Sequence, residues 1–290
     1  MKIKTPFRVL KKIYHISDIQ IRNLKRHKEY EQVFDRLYEF IKRDDEGNSM
    51  IYIGGDIAHS KTDMSPELVD QLSRLFKNLA DLCPTIIIAG NHDCNLNNRS
   101  RLDVLTPIVD NLKHPDLHYW KDTGIYYVGG VGFGVLDVWD DEANLPNPND
   151  IESDTKVLLY HGTVDKAGTD LGFALPSDVK LKDFDGYDMV MLGDIHKMQT
   201  MQAYKPGKVT KPIVRYCGSL VQQNHGETLL GHGVSVWNVK SRTFEHQEIE
   251  NDYGYYTMDI ENGLVPKVKN MPKYARLRVR LSNTSNTDLK

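Results

Sequence analysis

The sequence Thr85-Ile86-Ile87-Ile88-Ala89-Gly90-Asn91-His92-Asp93 joins an apolar run directly to three polar side chains. The run of four residues at its start has the composition of a buried strand, and Gly90 ends it. An amide, an imidazole and a carboxylate at the end of a buried strand can serve as a metal ligand, a proton donor and the group that orients the donor. A polar turn is the alternative, since Asn and Asp are ordinary turn residues. This stretch alone does not decide between the two.

The same arrangement of a buried strand followed by polar residues recurs four more times. Those strands are predicted at 11–17, 50–53, 157–160 and 188–192. The polar residues at the five strand ends are Asp18, Gln20, Asp56, His59, Asn91, His92, His161, Asp194 and His196. Amphipathic helices between the first three strands give the order β-α-β-α-β, which predicts parallel strands. We therefore expect the polar residues to meet at one sheet edge, where ligands bind in such folds.

The composition indicates a globular, cytoplasmic protein. The chain has 290 residues, of which 40% are hydrophobic and 27% charged, and no apolar run approaches the ~20 residues that span a membrane. Cys83, Cys94 and Cys217 are too few and too scattered for a disulfide framework. A net charge of −3 argues against coating nucleic acid through bulk charge, although local basic patches remain compatible with it.

The second half of the chain has a different pattern. Short strands at 117–120, 125–128 and 134–138 are separated by glycine turns and predict a second sheet. The segment 275–281 alternates Arg with Leu or Val, which is typical of a half-buried strand. Either it pairs onto the main body or it begins a second domain that the chain cuts short, and we favour the cut. The predicted division is a main domain at 1–255 and the start of an accessory domain at 256–290.

The candidate ligands indicate a pair of metal ions. Carboxylate, imidazole and amide groups without thiolate suit Mn²⁺ or Fe²⁺, with Zn²⁺ as a further option. Two metals ~3.5–4 Å apart can share one carboxylate, generate a bridging hydroxide and clamp a phosphoryl group. A structural role is the better interpretation for any one of these histidines, but five strand ends with ligand-type residues make coincidence a poor explanation.

Five motifs resemble, in order, the signature motifs of calcineurin-like metallophosphoesterases. They are Asp18-x-Gln20, Gly55-Asp56-x-x-His59, Gly90-Asn91-His92-Asp93, His161-Gly162 and Gly193-Asp194-x-His196. The resemblance implies an α/β fold, a four-layer α-β-β-α sandwich of two mixed β-sheets. Gln20 and Asp194 depart from it, because the family usually has His at both positions. Two fewer imidazoles should favour Mn²⁺ or Mg²⁺ over Zn²⁺.

The resemblance also implies a role for each residue. One metal would be held by Asp18, Gln20, Asp56 and His196. The other would be held by Asp56, Asn91, His161 and Asp194, so that Asp56 is shared. His92 would protonate the leaving oxygen, Asp93 would hold the His92 ring, and His59 would help to position the phosphate.

Three longer blocks resemble the SbcD-type nuclease subunits of recombination-repair complexes, which include phage-encoded members. They are Gly54-Gly55-Asp56-Ile57-Ala58-His59-Ser60, Gly193-Asp194-Ile195-His196-Lys197 and Arg215-Tyr216-Cys217-Gly218-Ser219-Leu220, the last followed by Asn224-His225-Gly226-Glu227. This implies a two-Mn²⁺ DNA nuclease with 3′-to-5′ exonuclease and single-strand endonuclease activity. It also implies a homodimer, an SbcC-type coiled-coil ATPase as partner, and a small cap domain beginning near the alternating strand.

Basic residues that follow the metal-binding blocks could hold the DNA backbone on either side of the cut phosphate. They are Arg22, Lys25, Arg26, Arg99, Arg101 and Lys197. Solvated loop charge is the alternative interpretation. Two other functions also stay open: a small-substrate phosphatase or phosphodiesterase of the same fold, and an interaction module weakened in catalysis by the changes at Gln20 and Asp194.

Overall fold

Two six-stranded mixed sheets pack face to face in the computed structural model, which describes residue 3 and residues 5–285. The predicted fold class, α/β with two mixed sheets, is confirmed. The helices are α1 (His27–Asp44), α2 (Pro66–Leu82) and α3 (Leu105–Leu112). The strands are β1 (Lys12–Ile16), β2 (Ser49–Gly54), β3 (Thr85–Ile88), β4 (Leu117–Tyr119), β5 (Gly124–Val128), β6 (Val131–Leu136), β7 (Lys156–His161), β8 (Ala167–Gly168), β9 (Ala174–Leu175), β10 (Met189–Gly193), β11 (Gln199–Gln202), β12 (Ile213–Tyr216), β13 (Gly233–Asn238), β14 (Thr243–Glu248), β15 (Tyr253–Glu261) and β16 (Tyr274–Ser282).

The first sheet has the strand order β14-β13-β1-β2-β3-β4, and β1 to β4 run parallel. The three helices cover its outer face, where side chains such as Leu37, Leu72 and Ile108 pack on the strands. Helix α2 begins at a Ser-Pro pair, a local start signal: the Ser65 hydroxyl accepts a hydrogen bond from the Leu68 amide at 3.3 Å, and Pro66 fills the first helical position. The parallel core of this sheet therefore directs three strand ends to one edge.

The second sheet has the order β11-β12-β10-β7-β6-β5, with β12, β10, β7 and β6 parallel. Apolar side chains from both sheets, among them Met50, Leu159 and Met191, fill the layer between them. Strands β7 and β10 end at the same side of the sandwich as β1, β2 and β3, since the His161 imidazole contacts the Gly54 carbonyl oxygen. All five predicted strand ends thus meet.

Two expectations about the second half need correction. The strand predicted at 117–120 belongs to the first sheet, because β4 pairs with β3 and the Trp120 amide donates to the Ile87 carbonyl oxygen. Within the described residues, the outer face of the second sheet is covered by loops and 3₁₀ turns instead of α-helices. Pro146 and Pro148 disfavour a helix in the acidic segment there, and buried side chains such as Phe184 complete the layer.

Strands β15 and β16 form a separate parallel pair that joins neither large sheet. Ion pairs from Arg276 to Glu29, at 2.6 Å, and from Arg36 to Asp252, at 3.0 Å, attach this pair to α1. The predicted division at residue 255 falls inside β15, and the two-domain organisation stays a prediction. In the part of the chain that the structure describes, no helix is long and apolar enough to cross a membrane.

Candidate metal centre

Three buried residues from different strand ends form the core of the candidate site. One ligand atom from each of Asp18, Asp56 and His161 lies within 4.8 Å of the other two. Asp18 follows β1, Asp56 follows β2 and His161 ends β7. The strand topology thus brings two carboxylates and an imidazole from distant parts of the sequence into one small volume.

The other predicted ligands surround this core. The Asn91 side-chain oxygen lies 3.1 Å from Nε2 of His161. The Asp194 amide donates to the Asp18 carboxylate at 3.2 Å, and the Gln20 Nε2 lies 3.1 Å from Nε2 of His196. All seven predicted ligands are therefore neighbours in the structure.

Four of these residues have a backbone conformation that is uncommon outside glycine. The φ angles are 51° at Asp18, 48° at Gln20, 52° at Asp56 and 97° at Asp194. Such left-handed conformations are unfavourable for side chains with a Cβ and concentrate at functional sites. At Asp18, Gln20 and Asp56 the sharp turn after the strand brings the polar side chain into the shared volume. The Asp194 carboxylate instead accepts a hydrogen bond from the Thr163 hydroxyl at 2.6 Å.

Two glycines allow the strand ends to approach. A Cβ at Gly90 would overlap the backbone and side chain of Asp56 and would press on His161. A Cβ at Gly193 would overlap the Gly54 carbonyl oxygen and the Ser17 hydroxyl. The close approach of β2, β3 and β10 therefore requires glycine at both positions.

Two histidines are oriented as metal ligands would be. Nδ1 of His161 lies 2.6 Å from the Gly54 carbonyl oxygen, and Nδ1 of His196 lies 2.7 Å from the Glu227 carboxylate. In each ring Nδ1–H therefore donates outward, and Nε2 faces the cluster. A metal-binding imidazole typically has this arrangement, in which an acceptor fixes the tautomer.

The electrostatics also fit a divalent cation. Burial disfavours a charged His161, but the carboxylates of Asp56, Asp18 and Asp194 outweigh it and raise its pKa to about 9. For His196 the hydrogen bond to Glu227 likewise overcomes burial and raises the pKa to about 9. Burial raises the pKa of Asp18 to about 6. Excess negative charge, oxygen donors and imidazole nitrogens together suit a divalent ion that would replace the protons.

A model of the calcineurin-like phosphoesterase family matches residues 11–198. The chain belongs to this family. It is also 44% identical, over 291 aligned residues, to the uncharacterized protein R555 of Acanthamoeba polyphaga mimivirus. That alignment covers 95% of this chain and 21% of the relative, so the chain spans about a fifth of the relative's length. Family membership indicates phosphoester hydrolysis and divalent metal ions.

The pKa shifts predict how metal binding to this phosphoesterase depends on pH. Below about pH 9, Nε2 of His161 and of His196 carries a proton that an incoming ion must displace, whereas above that pH only the Nδ1 proton remains. We expect the apparent affinity for Mn²⁺ to rise between pH 7 and pH 9, by about tenfold per pH unit for each proton displaced, and then to level off. Calorimetric titration in buffers of different ionisation enthalpy measures both quantities; a constant affinity without proton release would contradict the expectation.

Glu227 is a site residue that the sequence did not assign. Its carboxylate is almost fully buried, and besides Nδ1 of His196 it accepts the Gln223 amide at 2.7 Å and the Asn224 side-chain amide at 2.8 Å. It lies 31 residues from His196, and a single carboxylate at that separation gives no recognisable spacing. The signal in the sequence that could have indicated Glu227 is its place in the segment 224–227, which follows the block that ends at Leu220.

We expect Glu227→Ala to weaken Mn²⁺ binding by about 10–100-fold, because His196 would lose the acceptor that fixes its ring. Calorimetric titration with Mn²⁺ measures the loss. Asn224→Ala is the matched control, since it removes another contact of the same carboxylate and leaves the contact with His196. Equal affinities in the two variants would show that Glu227 only stabilises its loop.

The expected contact between Asp93 and the His92 ring is wrong. The Asp93 carboxylate accepts backbone amides instead, from Gly90 at 2.9 Å, Ala58 at 2.9 Å and Ile57 at 3.0 Å. The His92 ring is fixed by the backbone oxygen of His59, which lies 2.8 Å from Nδ1. Asp93 therefore joins the loops after β2 and β3, and the orientation of His92 depends on the loop that carries His59.

His59, His92 and Gln20 form one connected group at the mouth of the site. The rings of His59 and His92 stack with centroids 5.7 Å apart, and Nδ1 of His59 lies 2.9 Å from the Gln20 side-chain oxygen. Burial and nearby Arg22 lower the pKa of His59 to about 4. A half-turn of the Gln20 amide would direct its oxygen toward Asp56 and His196, where a metal ligand is expected, and would leave an N–H for neutral His59.

Two of the predicted DNA-binding residues are engaged inside the protein. Arg26 is 4% exposed, pairs with Glu29 at 2.9 Å and donates to the Gln222 carbonyl oxygen. Arg99 lies within 3.4 Å of three carboxylates. Those carboxylates belong to Asp122, Asp137 and Asp140. Their charge is compensated, so neither arginine is a free cation for a phosphate backbone.

The other basic residues are placed differently. Lys25 and Arg101 are exposed, and the Nε of Arg22 is buried near the His59 loop without a hydrogen-bond partner. Lys197 lines a groove of about 270 Å³ that also contains Asp194, His196 and Asn224. Arg22 and Lys197 are thus the predicted cations next to the candidate metal centre.

Proposed function

We propose that this phosphoesterase is a metal-dependent DNA nuclease subunit that acts in recombination or double-strand-break repair. It hydrolyses phosphodiester bonds as a 3′-to-5′ exonuclease and as an endonuclease on single strands. The observation that carries the proposal is the placement of His92 at the rim of seven clustered ligand residues. Its side chain is 38% exposed, and its Nε2 lies 3.8 Å from the Asp56 carboxylate. The SbcD-type motif blocks are the reason for choosing DNA as the substrate.

His92 can deliver a proton at a defined atom. Because Nδ1–H donates to the His59 carbonyl oxygen, the exposed Nε2 is the nitrogen that gains and loses the catalytic proton. A phosphate bound over the ligand cluster would place its leaving oxygen against this nitrogen. Proton donation of this kind contributes typically about 10²–10⁴-fold to the rate.

His59 and Arg22 border the same space and act on the phosphate. Since its pKa is about 4, His59 is neutral at pH 7 and can make a hydrogen bond without adding charge. Two divalent ions, Mn²⁺ in our proposal with Mg²⁺ or Fe²⁺ as substitutes, would supply Lewis acidity toward the phosphate and a nucleophile at neutral pH. Full activity with tightly bound Zn²⁺ and no response to Mn²⁺ would contradict the choice of metal.

The test is cleavage of end-labelled duplex and single-stranded DNA with Mn²⁺ by the wild-type protein and His92→Ala. We expect the variant to be slower by about 10²–10⁴-fold. His114→Ala is the matched control, because that histidine pairs with Asp81 away from the site. Wild-type rates in His92→Ala would exclude His92 as the proton donor. Hydrolysis of cyclic nucleotides or small phosphodiesters without DNA cleavage would favour the alternative function, a small-substrate phosphatase or phosphodiesterase.

The proposal includes two partners, a second copy of the chain and an SbcC-type coiled-coil ATPase. An apolar groove of about 460 Å³ between α2 and α3 supports a dimer contact on the early helices. It is lined by Met64, Val69, Leu102 and Ile108, among others. Sedimentation as a monomer at every concentration would rule out the homodimer.

A further inference from the structure

One face of β16 carries a row of three arginines. Arg276, Arg278 and Arg280 alternate with Leu277 and Val279, so the three guanidinium groups lie on the same face of the strand. Each is paired in register with a residue of β15, namely Tyr255, Thr257 and Asp259. We call Arg276, Arg278 and Arg280 the arginine row. Successive members are about 6.6 Å apart along the strand.

The three charges are compensated to different extents. Arg276 lies 2.6 Å from the buried Glu29 carboxylate, and this ion pair attaches the Arg276 end of the row to helix α1. Arg280 has a contact of 3.9 Å with Asp259, where both side chains are more than half exposed, and such a pair is weak. Among the described residues, no carboxylate lies within ion-pair distance of Arg278. The outer two guanidinium groups are therefore available to an anionic ligand.

His225 connects the arginine row to the candidate metal centre. Its Nδ1 lies 3.3 Å from the Thr257 hydroxyl, and its ring packs edge-on against Tyr255 at 4.9 Å. Burial, together with Arg278 and Arg280, lowers the pKa of His225, as expected if both guanidinium groups lie near the ring. Two residues further along the chain, Glu227 binds His196. The groove beside His196 is lined by residues of this same segment and by Lys197.

We propose that Arg278 and Arg280 bind the phosphodiester backbone of the single strand whose scissile phosphate lies at the metal centre. The inference rests on the proposed function, because it takes DNA as the ligand of that centre. Guanidinium groups on a regular strand can contact successive phosphates without reading bases, which suits a nuclease with no sequence preference. Arg276 and Glu29 hold the row in place and do not contact the DNA.

The test is the affinity for a fluorescently labelled single-stranded oligonucleotide, measured by anisotropy in EDTA over a range of salt concentrations. The variants are Arg278→Ala/Arg280→Ala and, as matched control, Lys267→Ala/Lys269→Ala, which removes the same charge from exposed positions between β15 and β16. We expect the arginine variant to bind roughly tenfold more weakly at low salt, and its salt slope to be shallower by about 1.4, the value for two phosphates of a single strand. The control should keep the wild-type slope.

Three results would overturn the inference in distinguishable ways. Wild-type affinity and slope in the arginine variant, with normal DNA binding by the wild-type protein, would refute the inference alone. Equal losses in both variants would show a general charge effect without a defined contact. Absence of DNA binding and cleavage by the wild-type protein would refute the proposed function, and the inference with it. Thermal unfolding of each variant separates these results from misfolding.

Discussion

Asp56→Asn should eliminate metal binding and phosphodiester hydrolysis together. Asp56 lies at the centre of the cluster: one carboxylate oxygen accepts the His92 amide at 2.9 Å and lies 3.4 Å from Nε2 of His161, and the other accepts from Gln20 at 3.4 Å. A neutral amide with a single oxygen donor would offer less charge to the two predicted cations and would be a poorer shared ligand. We expect the affinity for Mn²⁺ and the rate of hydrolysis each to fall by much more than the roughly 10–100-fold that the loss of a contact outside the ligand set causes. Calorimetric titration with Mn²⁺ and hydrolysis of bis(p-nitrophenyl) phosphate measure them.

Asp103→Asn is the matched control for Asp56→Asn. Asp103 is also a buried carboxylate, but it pairs with Lys121 at 2.6 Å and accepts the Thr106 amide at the start of α3. This variant should lose thermal stability and retain the affinity for Mn²⁺. Normal Mn²⁺ binding by Asp56→Asn would mean that Asp56 is not the shared ligand.

The second large effect is expected from Gly193→Ala, which adds one methyl group. The new Cβ would overlap the Gly54 carbonyl oxygen and lie 2.7 Å from Nδ1 of His161, so β10 and β2 would have to move apart. Overpacking of this kind costs about 1–3 kcal/mol or more. The same movement removes the oxygen that orients His161, so Mn²⁺ binding should weaken as well. Thermal unfolding with and without Mn²⁺ measures both consequences.

Gly124→Ala serves as the control for Gly193→Ala, because Gly124 also lies in a strand and the nearest atom to its new Cβ is 3.9 Å away. It should leave the melting temperature and the Mn²⁺-induced stabilisation close to those of the wild-type protein. If Gly193→Ala behaves in the same way, the strand ends are less tightly packed than the structure indicates.

Sequence periodicity predicted the strand ends well because the relevant signals are local. The apolar run before Asn91 and the Ser65-Pro66 start of α2 depend on neighbouring residues, and parallel topology then brings the strand ends together. The contacts of the Asp93 carboxylate could not be predicted from such local signals. Adjacent residues in a turn can point in different directions, and the amides that Asp93 binds belong partly to another loop.

The sequence does not show which basic residues form ion pairs within the protein. A basic loop looks the same whether its cations face solvent or are paired with acids far along the chain. For Arg26 a signal existed, since Glu29 is three residues away at a spacing typical of helical ion pairs. For Arg99 there was none, because its three acidic partners lie 23 to 41 residues away. Paired charges of this kind are visible only once the fold is known.

The left-handed backbone at Asp18, Gln20, Asp56 and Asp194 lowers the stability of the fold at positions that metal binding is predicted to require. Each such conformation is unfavourable by on the order of 1–3 kcal/mol for a residue with a Cβ, and glycine would adopt it without that penalty. The protein therefore carries the strain of its ligand positions whether or not an ion is bound. Replacing any of the four by glycine would relieve this strain and at the same time remove a predicted metal ligand.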